Sequence, residues 1–167
     1  HAHAVLPAGL TALGRAGVVD GAHGGVDLAA LAGDEPAGAR LIARIDAALA
    51  AAAPADGESV ATLLWQPGGI VAGEQTLVSD LLVRTGFANA APVRGLSQAE
   101  YVALEDVVAE PPEVLLIAGG ELGQSHPVLG RLGDMHRARF DTSLLYCGGP
   151  TIIRAAERLA AIREAAS

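Results

Sequence analysis

Hydrophobic and polar positions follow helical and strand-like spacings in turn from residue 34 onward. Leu41, Ile45 and Leu49 recur every four residues, which predicts a helix from Asp34 to about Ala53. The Asp34 side chain is suited to cap that helix, and Pro36 suits its first turn. The pattern thus predicts one long helix at this point of the chain.

A short apolar run from Val60 to Trp65 has the length and composition of a strand. The turn residues Gln66 to Gly69 end it, and a second extended piece is predicted at Ile70 to Ala72. A loop should reach to about Gln98. Before that loop an amphipathic helix is predicted to end near Gly86, with an apolar stripe formed by Leu77, Val78, Leu81 and Leu82.

The second half of the chain continues this alternation of helices and strands. An α/β unit of three layers is therefore predicted, with a mostly parallel central sheet flanked by helices. Such sheets bind ligands at the loops beyond the carboxyl ends of the strands, which are here residues 66–71, 119–124 and 143–149. The predicted elements are a helix at Val102 to Ala109, a strand at Val114 to Ala118, a helix near Pro127 to Gly133, a strand at Ala138 to Asp141 and a helix from Pro150 to about Glu164.

Composition and charge exclude several classes of protein. Of the 167 residues, 51% are hydrophobic and 18% are charged, a balance that can bury a core and argues against disorder. The formal net charge is -8, so a nucleic-acid backbone would be repelled. Cys147 is the single cysteine, which excludes an internal disulfide framework. No motif for a nucleotide phosphate is present, and His1 and His3 lack the further ligands that a metal site needs.

Three motifs occur in an order that resembles a known family. They are LLWQPGGIVAGEQTLVSDLLVRTGFAN, VALEDVVAEPPEVLLIAGG and LLYCGGPTIIRAAERLAAI. Each is weak alone, but together, from about Asp34 to Ala166, they are similar to the C-terminal lobe of class III periplasmic substrate-binding proteins. Proteins of that type deliver cobalamin or iron-siderophore complexes to ABC importers.

The resemblance implies a fold and a function. Members of this family have two α/β lobes joined by a long helix, and they hold the ligand in a shallow cleft between the lobes. Residues 34–56 would then be the connecting helix and residues 57–167 the C-terminal α/β lobe, whereas the glycine-interrupted residues 1–33 would be a leader or the remnant of an N-terminal lobe. The implied function is that of a non-enzymatic periplasmic carrier of a cobalamin, siderophore or haem-like chelate, with the importer's permease as partner and no cofactor.

The same resemblance places ligand-binding residues in two loops. Trp65 could present a flat indole to a large chelate, or it could be a core residue that closes the edge of the sheet. Ile70 stands where relatives carry an aromatic side chain. The complete set of candidates is Trp65, Gln66, Ile70, Ser143, Tyr146 and Cys147.

Two further residues have alternative interpretations. Glu105 aligns with the carboxylate that docks onto arginines of the permease, although an exposed Glu is usually a solvated charge and Asp106 is an adjacent candidate. Cys147 lies at a predicted helix start, where a thiol can become nucleophilic. A small α/β enzyme using Cys147 is therefore one alternative function, and an interaction domain that has lost the cleft is another.

Overall fold

Four α-helices and a sheet of six strands make up the part of the chain that the computed structural model describes. The described residues are 34–55, 57–66, 68–119, 127, 129, 135–145 and 149–166. The helices are α1 (Glu35–Ala52), α2 (Leu77–Arg84), α3 (Leu104–Ala109) and α4 (Pro150–Ala166). The strands are β1 (Val60–Gln66), β2 (Ile70–Ala72), β3 (Phe87–Asn89), β4 (Ala99–Tyr101), β5 (Val114–Ala118) and β6 (His136–Phe140).

Polar side chains fix the starts of the first two helices. The Asp34 carboxylate accepts a hydrogen bond from the Ala37 N–H at 3.1 Å, which caps α1 as its sequence predicts. The Thr76 hydroxyl oxygen accepts one from the Ser79 N–H at 3.2 Å and caps α2. Both helices thus begin where a side chain satisfies a backbone donor that has no partner inside the helix.

The sheet is mostly, but not purely, parallel. Its strand order is β4-β2-β1-β5-β6, and β3 pairs with β1 beside β2. Strand β1 runs parallel to β3 and β5, and β5 runs parallel to β6. Only β2 is reversed, since it pairs antiparallel with both β1 and β4. The predicted α/β class is confirmed, with the antiparallel β2 as the exception to the parallel arrangement.

Alternate residues of the central strands face two separate hydrophobic cores. Leu64 and Leu116 lie in a core shared with α1, α2 and α4. Their neighbours Leu63 and Leu115 point to the other side, into a core shared with α3. All four side chains are at most 2% exposed, which explains why β1 and β5 read as continuous apolar runs. The result is a central sheet with helices on both faces.

Strand β3 lies where the sequence pattern predicts only a loop, and β4 lies between that loop and the helix predicted from Val102. Strand β3 pairs with β1, and the Asn89 amide anchors its end, donating hydrogen bonds to the Ala72 carbonyl at 3.1 Å and to the Ser79 hydroxyl at 3.0 Å. In β4 all three side chains are exposed, so this strand shows no apolar alternation, and its backbone pairs with β2. The loop prediction was therefore wrong for β3, and no strand was predicted for β4.

The start of α3 also differs from its prediction. The helix begins at Leu104 and not at Val102, because the Val102 N–H donates to the Gly69 carbonyl at 2.7 Å and extends the pairing beyond β4. Residues 1–33 and most of the helix predicted near residues 127–133 lie outside the described residues. No helix in the described part of the chain is long and apolar enough to cross a membrane.

Candidate functional site

Four strands end at the same edge of the sheet. Strands β1, β5 and β6 are parallel, and β4 runs in the same direction because β2 is antiparallel to both β1 and β4. We call the residues at and just beyond these four strand ends the carboxyl edge. It contains the turn after Gln66, the end of β4 at Tyr101, Gly119 and the segment from Phe140 to Leu145.

Trp65 lies at the carboxyl edge with its ring turned toward the core beside α3. Its indole N–H donates to the Val102 carbonyl at 3.4 Å, and the half-buried ring packs against that core. On the sheet, Trp65 stands opposite Val71 and Ile117. The indole therefore helps close the core at the sheet edge, where it is only partly buried.

Gln66 and Ile70 belong to a second row of side chains at this edge. Gln66 is the cross-strand partner of Ile70, and Ile70 is the partner of Tyr101. Directly paired residues share one face of a sheet, so these three side chains form a row. Tyr101 is 70% exposed and ends the row on the outermost strand.

Tyr101 is the aromatic residue at this edge that the sequence analysis missed. Its ring packs onto Gly69, which has a φ of +82°; a Cβ atom there would lie 2.6 Å from a ring carbon of Tyr101. Two features of the sequence drew attention to these residues, namely the scarcity of aromatic residues and the glycine pair before β2. Neither could indicate the pairing, because β4 has no recognisable strand pattern.

A cavity of about 460 Å³ opens at the ends of β5 and β6. It is lined by Gly119, the segment from Arg139 to Thr142, and Arg158 of α4. The Arg158 guanidinium donates two hydrogen bonds to the Arg139 carbonyl, from Nε at 3.2 Å and from Nη2 at 2.8 Å. This contact fixes α4 against the end of β6 and forms one wall of the cavity.

Ser143 lies beside this cavity in a short 3-10 turn. The Asp141 carboxylate accepts a hydrogen bond from the Ser143 N–H at 2.8 Å, and Ser143 itself is exposed. Hydrogen bonds from the Ser143 backbone and side chain, together with the charge of Arg154, lower the pKa of Asp141. Tyr146 and Cys147, the other candidates in this loop, lie outside the described residues, so their roles stay predictions.

The predicted binding residues thus divide into two groups at one edge. Trp65, Gln66 and Ile70 lie at the ends of β1 and β2, and Ser143 lies beyond β6 on the far side of β5. The described residues contain no group of three or more His, Cys, Asp or Glu that could hold a metal ion.

Glu105 and Asp106 are exposed in the first turn of α3, four and five residues beyond the end of β4. Leu104 and Val107 are the buried members of this helix, so the two carboxylates face outward. At the other end of α3 the Arg94 guanidinium donates to the Glu110 carbonyl. Among the described residues, the carboxylates of Glu105 and Asp106 have no hydrogen-bond or ion-pair partner.

The family model "Periplasmic binding protein" matches residues 27–135, which is well over half of the chain. The chain belongs to the periplasmic binding protein family. The family resemblance that the three sequence motifs indicate is therefore confirmed. No curated protein sequence matches the chain significantly.

Solved structures of this family share the fold. The periplasmic heme-binding protein of Roseiflexus sp. RS-1 matches with a TM-score of 0.68, 24% identity and coverage of 90% of this chain and 65% of that one. An ABC-type Fe3+-hydroxamate transport system protein of Saccharomonospora viridis matches with a TM-score of 0.74, 17% identity and coverage of 90% and 57%. The periplasmic vitamin B12 binding protein of Vibrio cholerae has a TM-score of 0.72, 12% identity and coverage of 92% and 64%. The chain therefore spans less than two thirds of the length of each of these relatives.

Proposed function

We propose that this chain forms the C-terminal lobe, with its connecting helix, of a periplasmic protein that binds a metal chelate and delivers it to an ABC importer. The family match over residues 27–135 carries the proposal. Structural relatives are proteins for heme, Fe3+-hydroxamate and vitamin B12, three ligands that are metal chelates. The carrier binds without catalysis, so no cofactor is required.

The carboxyl edge supports this proposal because it combines apolar and polar surface at the strand ends where α/β sheets bind ligands. Trp65, Ile70 and Tyr101 offer apolar area, and Gln66 offers an amide that can donate and accept hydrogen bonds. A large chelate has both an apolar rim and polar substituents, so a mixed edge of this kind suits it. Ser143, Tyr146 and Cys147 belong to the same proposed binding surface.

Glu105 is proposed as the group that docks onto the permease. Its carboxylate lies outside the row formed by Gln66, Ile70 and Tyr101, on a helix that covers the opposite face of the sheet. An unpaired surface carboxylate can steer association with arginines of a membrane partner. Binding of the chelate and docking would then use separate side chains of one lobe.

Because Trp65 is the single tryptophan, its emission tests the proposed binding surface. We expect a saturable change in Trp65 fluorescence when a gallium hydroxamate complex, haemin or cyanocobalamin is titrated into the protein. The gallium complex is the most informative probe because it is colourless, so that quenching then requires close approach. Calorimetry of the same mixtures supplies an independent affinity.

The two measurements separate the possible roles of the indole. A fluorescence change that saturates with the calorimetric affinity, together with weaker binding by Trp65→Phe, supports a contact with the chelate. Calorimetric binding with unchanged Trp65 emission would assign the indole to the core alone. If none of the three chelates binds, the proposed function itself fails.

A further inference from the structure

The turn from Pro92 to Arg94 carries the most exposed large hydrophobic side chain among the described residues. Val93 is 88% exposed there, although Ala91, only two residues earlier, is fully buried. A single exposed valine is ordinary on a protein surface. What distinguishes Val93 is the way its turn is held and the surface that surrounds it.

The turn that carries Val93 is fixed from both ends. The Arg94 N–H donates to the Ala91 carbonyl at 3.0 Å, and the Gly95 N–H donates to the Pro92 carbonyl at 2.9 Å. Ala91 itself belongs to the core shared with α3, so the turn is anchored on that core. A side chain on such a turn has little backbone freedom to lose when a partner covers it.

The turn lies beside the C-terminal end of α3. The Arg94 guanidinium donates to the carbonyl of Glu110, the residue that follows the helix. Ala109 and Pro111, on either side of Glu110, are both exposed. We call Val93, Ala109 and Pro111 the apolar patch.

Acidic residues surround the apolar patch. Between the start of α3 and the start of β5 four acids are exposed, namely Glu105, Asp106, Glu110 and Glu113. Arg94 is the one basic residue between positions 92 and 113, and its guanidinium is committed to the Glu110 carbonyl. An apolar centre inside a polar rim is the usual anatomy of a protein–protein interface. The charge of this rim favours a partner surface that is positive.

The apolar patch and Glu105 are carried on the same side of the lobe. Leu104 and Val107 of α3 and Ala91 before the turn pack into one core, on one face of the sheet. The row of side chains at the carboxyl edge belongs to the other face. Because α3 has only six residues, its two ends are about 9 Å apart. A single partner can therefore cover both the patch and Glu105.

A second copy of the chain is a poor match for this surface. Two-fold pairing would bring the same four acids of each copy face to face, in a protein with a formal net charge of -8. Like charges placed opposite each other across an interface oppose association. The acidic rim thus selects a different protein, one with basic groups around an apolar recess.

We propose that the apolar patch is the uncharged part of the surface that docks onto the importer's permease, with Val93 as its central contact. This inference rests on the proposed function and extends the docking surface beyond Glu105. The carboxylate steers the encounter with arginines of the permease, whereas burial of Val93 slows dissociation. Burial of apolar area is not screened by salt, so the two parts of the surface respond differently to ionic strength.

The test measures equilibrium binding of the protein to the importer's permease in lipid nanodiscs, at low and at high salt and without added chelate. Val93→Ser should weaken binding about tenfold at both salt concentrations, as expected when a buried valine loses its apolar area. Val93→Leu should keep the wild-type affinity. Glu105→Gln should weaken binding mainly at low salt, where its charge is least screened.

Val83→Ser is the matched control, because Val83 is 56% exposed on α2, a helix that packs on the other core. This variant should dock as the wild type does. Wild-type docking by Val93→Ser, together with weaker docking by Glu105→Gln, would overturn the apolar patch and leave the proposed function standing. A wild-type dimer in sedimentation that Val93→Ser dissociates would assign the patch to a second copy and also overturn the proposal. If the wild-type protein does not dock at all, the proposed function fails and this inference fails with it.

Discussion

Gly73→Ala is expected to destabilise the protein by roughly 3 kcal/mol, the upper end of the range for a side chain forced into packed surroundings. A Cβ atom at Gly73 would lie 2.2 Å from the Gln98 carbonyl oxygen and 2.6 Å from the Ser97 carbonyl carbon. Both obstacles are backbone atoms, which cannot rotate away as a flexible side chain would. The Gly73 N–H also donates to that Gln98 oxygen at 2.8 Å, so relief of the clash breaks the contact that precedes β4.

Gly68→Ala is the control for this prediction. Gly68 has a φ of +82° and nothing within 4 Å of an added Cβ, so its replacement tests left-handed backbone strain alone. That strain costs about 1–2 kcal/mol. Urea unfolding of both variants should rank Gly73→Ala as the more damaging change. The opposite ranking would mean that the segment before β4 does not pack on Gly73.

Charge reversal at Glu105 is expected to lower transport by more than roughly tenfold in membranes that contain the matching permease, because a lost interfacial charge pair is replaced by repulsion. Chelate affinity should stay within about twofold of the wild-type value, since Glu105 lies on α3 and faces away from the row of Gln66, Ile70 and Tyr101. The loss in Glu105→Arg should be greatest at low salt, where charge interactions are least screened.

Two comparison variants make this result specific. Glu157→Arg reverses an exposed acid on α4 and should leave transport unchanged. Asp106→Arg reverses the neighbouring exposed acid and shows whether docking depends on one carboxylate or on both. Normal transport with lost chelate binding in Glu105→Arg would place this residue in the binding surface and contradict the docking proposal.

Elements with a strong apolar pattern could be predicted from the sequence, and those held by backbone pairing could not. The prediction for β5 agrees with the structure at both ends because all five side chains are buried and form a continuous apolar run. The short strand β4 shows only exposed side chains, and β3 depends on the contacts that Asn89 makes with residues 10 and 17 positions earlier in the chain. No local pattern encodes such contacts.

The candidate site follows the same division. Motif order led to Trp65 and Gln66, because a strand followed by a glycine turn is visible in the sequence. Tyr101 and the contact of Arg158 with the Arg139 carbonyl were missed, since they depend on the sheet order and on a side chain that reaches a residue 19 positions earlier in the chain. The local motif locates the carboxyl edge of the sheet, whereas contacts between distant parts of the chain determine which side chains line that edge.

The most direct test of the proposed function is hydrogen exchange of the protein with and without a bound chelate. We expect the chelate to slow exchange at amides of the carboxyl edge, namely Ile70, Gly119 and Thr142. Amides at the opposite edge, such as those of Glu58 and Glu113, should exchange at unchanged rates. Protection confined to that opposite edge, or a bound chelate that protects neither edge, would contradict the proposal that this lobe meets its ligand at the carboxyl ends of its strands.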